Sequence, residues 1–88
     1  MEPDSTHAVI EALEDPRYLW RTVGGIARQT GLTPGEVVAA LEGSADRVMR
    51  ARATAPDGAP LYTTREHYRR RAGLGSRLLG ALRNRAGG

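Results

Sequence analysis

A small residue, a glycine and a branched apolar residue lie at fixed offsets near the middle of the chain. Ala27 is followed four positions later by Gly31 and ten positions later by Val37. A small residue lets two helices cross closely, and a glycine allows a tight turn between them. The branched apolar residue, Val37, holds the second helix against the first, and Ile26 and Leu32 are expected to add to the core between them. The spacing therefore predicts two helices joined by a sharp turn.

Capping residues predict where these two helices begin and end. Thr22 is expected to cap a helix over 23–30, and Gly31 is expected to end it in a left-handed conformation. Residues 33–36, Thr-Pro-Gly-Glu, have capping-box spacing with proline at the first helical position, which predicts a second helix over 34–42. We expect that second helix to bury three apolar side chains, those of Val37, Val38 and Leu41.

An amphipathic segment and a short aromatic segment precede the helix pair. Apolar residues at helical spacing predict a helix over 6–14, which Pro16 ends because the residue before a proline avoids helical geometry. Residues 17–21 are expected to form a brief strand or an extended link. Trp20 is the single tryptophan, and we expect it to be mostly buried and to anchor the core.

The hydrophobic pattern after the second helix changes to that of extended chain. Residues 47–54 and 61–64 are strand candidates, and the six residues between them are rich in turn formers, which predicts a β-hairpin. Thr63 and Glu66 then have capping-box spacing for a further helix that ends at Gly73.

The chain is expected to divide near its C-terminus. We predict one domain over 1–72, followed over 73–88 by an amphipathic helix, capped by Ser76, and a frayed tail.

A helix pair with this spacing, followed directly by a hairpin, resembles the winged helix-turn-helix family over about residues 6–72. The segments 20–27 and 61–65 are similar to small winged-helix modules appended to bacterial multidomain proteins. The resemblance implies a mainly α fold with a β-hairpin wing. In DNA-binding members of the family, the second helix of the motif enters the major groove.

The charge is strongly asymmetric along the chain. Residues 1–46 carry three arginines against eight acidic residues, a net charge of −5, whereas 47–88 carry ten arginines against two acidic residues, a net charge of +8. Arginine suits phosphate partners because its planar guanidinium donates two parallel hydrogen bonds. The leading hypothesis is therefore binding of duplex DNA through residues around the wing. The candidate contacts are Arg47, Arg50, Arg52, Arg65 and Arg69, with Thr33 on the motif helix.

The motif helix itself argues for a second hypothesis. It contains no basic residue, and its glutamates Glu36 and Glu42 would repel a polyanion, which puts groove reading in doubt. The alternative is a protein-interaction module that contacts a partner protein or a second copy. Its candidate residues are Glu36 and Ala39 on the motif helix and Leu78, Leu79 and Leu82 near the C-terminus.

Enzymatic and metal-dependent functions have little support in the sequence. The chain has no cysteine, and its two histidines, His7 and His67, are far apart without a converging set of ligands. We therefore expect no catalysis, no cofactor, no metal and no small-molecule substrate. No apolar run is long enough for a membrane span and no secretory signal is evident, so the expected location is the cytoplasm.

Overall fold

Three helices, a β-hairpin and a fourth helical segment follow one another along the chain. The computed structural model describes residues 5–73. The elements are α1 (Ser5–Leu13), α2 (Val23–Thr30), α3 (Pro34–Gly43), β1 (Val48–Thr54), β2 (Pro60–Thr64) and α4 (residues 65–73). The order of elements predicted for residues 5–73 is confirmed, and the helix predicted after Ser76 lies outside the described residues.

The turn between α2 and α3 is built as its sequence predicts. The hydroxyl of Thr22 accepts a hydrogen bond from the backbone N–H of Gly25, which caps α2. Gly31 has a φ of 79° and donates its N–H to the carbonyl of Ala27 at 2.9 Å. Thr33 and Glu36 then exchange side-chain to backbone bonds of 3.0 and 3.1 Å, which is the reciprocal capping box at the start of α3.

The hydrophobic core lies where α1, α2 and α3 meet. Ile26 and Val37 are fully buried, and Leu13 of α1 is buried between them and the rest of the cluster. Leu32 in the turn and Tyr62 of β2 pack against this core from its edge. The core side chains are Val9, Ile10, Ala12, Leu13, Ile26, Val37, Ala40 and Leu41.

The hairpin is antiparallel and carries one short extra pairing. Val48 pairs with Thr64 and Arg50 with Tyr62, and the register shifts between Arg50 and Thr54. Arg21, in the link before α2, exchanges two backbone hydrogen bonds of 2.8 Å with Tyr62. The extended link predicted over 17–21 therefore contributes a bridge beside β2 and ties the hairpin to the helices.

The tip of the hairpin is closed by the turn residues that the sequence places there. The N–H of Gly58 donates to the carbonyl of Ala55 at 2.8 Å, with Pro56 and Asp57 between them. Gly58 has a φ of 86°, and the Asp57 carboxylate accepts the next backbone N–H, that of Ala59. The conformation of this turn is therefore determined by its own residues, a proline followed by an aspartate and a glycine.

Three side chains lie elsewhere than the sequence predicts. Val38 is 41% exposed, and Ala40 occupies the buried position on α3 instead. The hydroxyl that caps α4 belongs to Thr64, which accepts from the N–H of His67, and not to Thr63. Trp20 is mostly buried, as predicted, but it lies outside the core cluster and does not anchor the core.

The helix α4 packs against the link and the end of α1. His67 is buried, and its Nε2 lies 2.8 Å from the carbonyl oxygen of Tyr18. A carbonyl oxygen only accepts hydrogen bonds, so Nε2 carries the hydrogen and is the donor. The rings of Tyr68 and Trp20 have centroids 5.9 Å apart, and Arg70 lies 3.9 Å from the carboxylate of Glu14. These contacts fix the direction in which the chain leaves the hairpin.

Candidate nucleic-acid interface

The exposed face of α3 is acidic and apolar. Glu36, Val38, Ala39 and Glu42 all lie on the surface, whereas Val37 faces the core. The glutamate of the capping box is held at the N-terminus of the helix, where a negative charge is favourable. This face offers no hydrogen-bond donor suited to phosphate or to guanine.

Three of the predicted arginines surround one hollow beside α4, which we name the α4 hollow. Its volume is about 140 Å³. Arg47 precedes β1, and Arg65 and Arg69 lie one turn apart on α4. The guanidinium of Arg65 donates to the carbonyl of Asp46 at 3.0 Å, and its backbone N–H donates to the carbonyl of Arg47. Acidic residues share the lining, namely Glu14, Asp46 and Glu66.

The remaining two predicted arginines lie on β1. Arg50 lines a second hollow of about 220 Å³, the α3–β1 hollow, together with Val38 and Tyr62. Arg52 is exposed two residues further along the strand, toward the tip of the hairpin. The five arginines therefore form two groups and not one continuous patch.

Thr33 has a structural use, since its hydroxyl accepts the Glu36 N–H at the start of α3. It is nevertheless exposed. The protein-interaction hypothesis requires Glu36 and Ala39 to be accessible, and both are exposed on α3. Leu78, Leu79 and Leu82 lie outside the described residues, as does nearly all of the segment predicted over 73–88.

A further basic cluster, at the start of α2, was not predicted from the sequence. Arg17 binds Asp15 through three side-chain hydrogen bonds, the shortest of 2.7 Å, and these bonds hold the pKa of Asp15 well below its usual range. Arg21 is buried, and Arg28 is exposed nearby on α2. The alternation of arginine and aromatic residues over 17–21 is a signal that could have indicated it.

Within residues 5–73, no group of three histidine, cysteine or acidic residues is placed to hold a metal ion. No helix in the same range is long and apolar enough to cross a membrane.

Comparison with known proteins finds matches in structure but not in sequence. No protein-family model matches the chain, and no curated protein matches its sequence. Three solved structures match its fold. ZitR of Lactococcus lactis in complex with DNA has a TM-score of 0.51 at 18% identity. A crystal structure of ZitR, a zinc-responsive member of the MarR family, has a TM-score of 0.52 at 17% identity. A possible transcriptional regulator of Methanosarcina mazei has a TM-score of 0.54 at 13% identity.

The matches cover nearly all of this chain but only part of each matched chain. Each alignment covers 96% of this chain, but 59% and 60% of the two ZitR chains and 78% of the Methanosarcina chain. The fold is a winged helix-turn-helix. In winged-helix terms, α2 and α3 are the motif, the β1–β2 hairpin is the wing, and the Arg21–Tyr62 bridge is the short strand that joins the wing to the helices.

Proposed function

We propose that this winged-helix domain binds duplex DNA through phosphate contacts made by arginines of the wing and of α4. The observation that carries the proposal is that all five predicted arginines are exposed, while none lies within ion-pair distance of a carboxylate in the described part of the chain. Guanidinium groups outside ion pairs attract a phosphate backbone, and the acidic residues of the α4 hollow reduce that attraction at Arg47, Arg65 and Arg69. The five arginines are Arg47, Arg50, Arg52, Arg65 and Arg69.

The fold supports this proposal, and the surface of α3 defines its form. One similar structure is that of ZitR in complex with DNA. The acidic face of α3 disfavours hydrogen bonds to base edges, since the usual donors to guanine are arginine and lysine. We therefore propose contacts that are mainly to phosphates and only weakly dependent on DNA sequence.

The salt dependence of DNA binding tests this mechanism. Replacement of Arg50 and Arg52 by alanine is expected to weaken binding to all duplex sequences alike. It should also flatten the slope of log K against log salt by up to about two units, since each neutralised phosphate contributes about −0.9. Fluorescence anisotropy with a labelled duplex at several salt concentrations measures both quantities. Glu36→Gln is expected to strengthen binding slightly by removal of a repelling charge.

Arg70 provides the matched control, because Glu14 already offsets its charge. Arg70→Gln is expected to change the slope less than either wing substitution. Tight duplex binding that survives the loss of Arg50 and Arg52 would contradict this mechanism. An absence of binding even at low salt would contradict DNA binding itself.

One observation favours a second function, self-association. The α3–β1 hollow is lined by apolar groups, among them the exposed Val38, and Glu42 lies at its border. Residues 76–85 carry three leucines and three arginines, so the leucines of this segment in a second copy would match the apolar lining of the hollow, to which Glu42 and Arg50 contribute opposite charges. Sedimentation would then show a concentration-dependent dimer that Val38→Glu abolishes, and a monomer at all concentrations would exclude it.

A further inference from the structure

At the start of α2 lies a buried arginine that has no carboxylate partner among the described residues. Arg21 is 9% exposed, and its guanidinium donates to neutral oxygens only, at 3.2 Å to the Ala12 carbonyl, 2.6 Å to Gln29 Oε1 and 3.3 Å to the Gly25 carbonyl. The ring of Tyr18 covers it, with the centroid 4.2 Å from the guanidinium carbon. A buried cation with no counter-ion is costly, so its retention calls for an explanation.

Part of this guanidinium remains available to a ligand. Three of its five N–H groups are used in those bonds, whereas Nε donates to no described residue. A Cβ on Gly25 would lie 3.3 Å from the hydroxyl oxygen of Thr22, 3.5 Å from Nη2 of Arg21 and 3.7 Å from its Nε. The glycine therefore leaves open the space directly beside the free N–H groups.

That space belongs to a surface hollow of about 510 Å³, which we name the α2 hollow. Arg28 lines it from the next turn of α2 and pairs with no carboxylate in the described residues. Thr22 also lines it, and its hydroxyl proton has no acceptor among the same residues. Arg17 also lines the hollow, and the carboxylate of Asp15 accepts hydrogen bonds from Arg17 at 2.7 Å and from Gln29 at 3.4 Å, so Arg17 already offsets the charge of Asp15.

We infer that the α2 hollow is a binding site for a phosphate group. Two uncompensated guanidinium groups supply the positive charge, and together with the Thr22 hydroxyl they present donors from more than one direction. A phosphate, with several acceptor oxygens and up to two negative charges, matches this set of donors. The phosphate belongs either to a nucleic-acid backbone or to a phosphorylated small molecule. The site stands on residues that the proposed DNA contacts do not include.

Trp20 provides the measurement, because it is the single tryptophan and lines the same hollow. Titration with inorganic phosphate is expected to change its fluorescence in a saturable way, and chloride at matched ionic strength is not. Gly25→Ala places a methyl group beside the free N–H groups and is expected to weaken phosphate binding about tenfold, which corresponds to one charge-assisted hydrogen bond. Alanine is favoured over glycine inside a helix, and the Thr22 hydroxyl, 3.3 Å from the new methyl group, has to move by only a few tenths of an ångström, so the variant should fold.

The adjacent glycine is the matched control. A Cβ on Gly24 meets no atom within 4 Å, so Gly24→Ala is expected to bind phosphate as the wild type does. Arg28→Gln removes an exposed charge without disturbing a described contact and is expected to weaken binding about tenfold, whereas Arg71→Gln on α4 is not.

Duplex DNA then identifies the source of the phosphate. If Gly25→Ala also weakens DNA binding, the backbone occupies the hollow. If DNA binding is unchanged while phosphate binding is lost, the ligand is a free phosphorylated molecule. An equal response of Trp20 to phosphate and chloride, or equal phosphate affinity of Gly25→Ala and Gly24→Ala, overturns the inference. Failure of the wing mechanism alone leaves the phosphate response of Trp20 intact.

Discussion

Thr63 and Thr64 are neighbours at the end of β2, yet their hydroxyl groups have opposite surroundings. Both residues are almost fully buried. The Thr64 hydroxyl donates to Glu14 at 2.9 Å and accepts the His67 N–H at 3.0 Å. The Thr63 hydroxyl is buried with no hydrogen-bond partner in the described residues. A buried hydroxyl without a partner costs about 1–3 kcal/mol in desolvation.

Replacement of each threonine by valine separates these two environments. Thr63→Val is expected to raise the free energy of unfolding by about 1 kcal/mol, because an isosteric methyl group replaces the unpaired hydroxyl. Thr64→Val is expected to lower it by about 1–2 kcal/mol, because the cap of α4 and the bond to Glu14 are both lost. Urea denaturation measures both values, and a destabilised Thr63→Val would show that an unseen partner satisfies that hydroxyl.

At the scale of elements, the α2–α3 turn depends on one backbone conformation. Gly31 and Gly24 both lie where an added Cβ meets nothing within 4 Å, so space does not distinguish them. They differ in backbone angle, since Gly31 has a φ of 79° while Gly24 is helical. Alanine at these two positions therefore tests conformation without a change in packing.

The two alanine variants are expected to shift stability in opposite directions. Gly31→Ala should destabilise the domain by about 1 kcal/mol, because a Cβ is unfavourable in the left-handed region. Gly24→Ala should stabilise it by up to about 1 kcal/mol through helix propensity. Thermal denaturation monitored by circular dichroism measures both changes. Equal melting temperatures of the two variants would contradict the conformational explanation of the turn.

Element boundaries were predictable because their causes are local. The cap at Thr22, the left-handed Gly31 and the Thr33–Glu36 box each depend on side chains within four residues. The orientation of α3 was not predictable to the same degree. Whether Val38 or Ala40 is buried depends on how α1 and the hairpin pack against α3, and that packing involves residues distant in sequence.

At the scale of the molecule, stability depends on the three-helix core and not on the largest side chain. Ile26→Ala is expected to cost about 2–5 kcal/mol, enough to unfold a marginal domain of this size. Trp20→Ala is expected to cost less, although it removes more atoms, because Trp20 lies outside the core cluster and its ring contacts that of the exposed Tyr68. Chemical denaturation measures the free energy of unfolding of both variants. A larger decrease for Trp20→Ala than for Ile26→Ala would place the core elsewhere.

The candidate sites follow the same division between local and distant causes. Exposure of the wing arginines was predictable, because β1 alternates and its charged positions cannot all be buried. The α4 hollow was not, since its lining comes from segments tens of residues apart, whereas every residue that lines the α2 hollow except Leu61 lies within 17–29. Arg21 in particular was expected only as part of a short link, and its burial comes from packing against α1 and α2.

The bridge between Arg21 and Tyr62 leaves the two sides of the wing unequal. It covers β2 on the side facing the helices, whereas β1 has no strand beyond it in the described residues. An open strand edge is a template on which another chain can add by backbone pairing, the first step of amyloid-like growth. On β1, two positive charges and an irregular register oppose such addition. Arg50 and Arg52 are therefore expected to oppose aggregation through this edge.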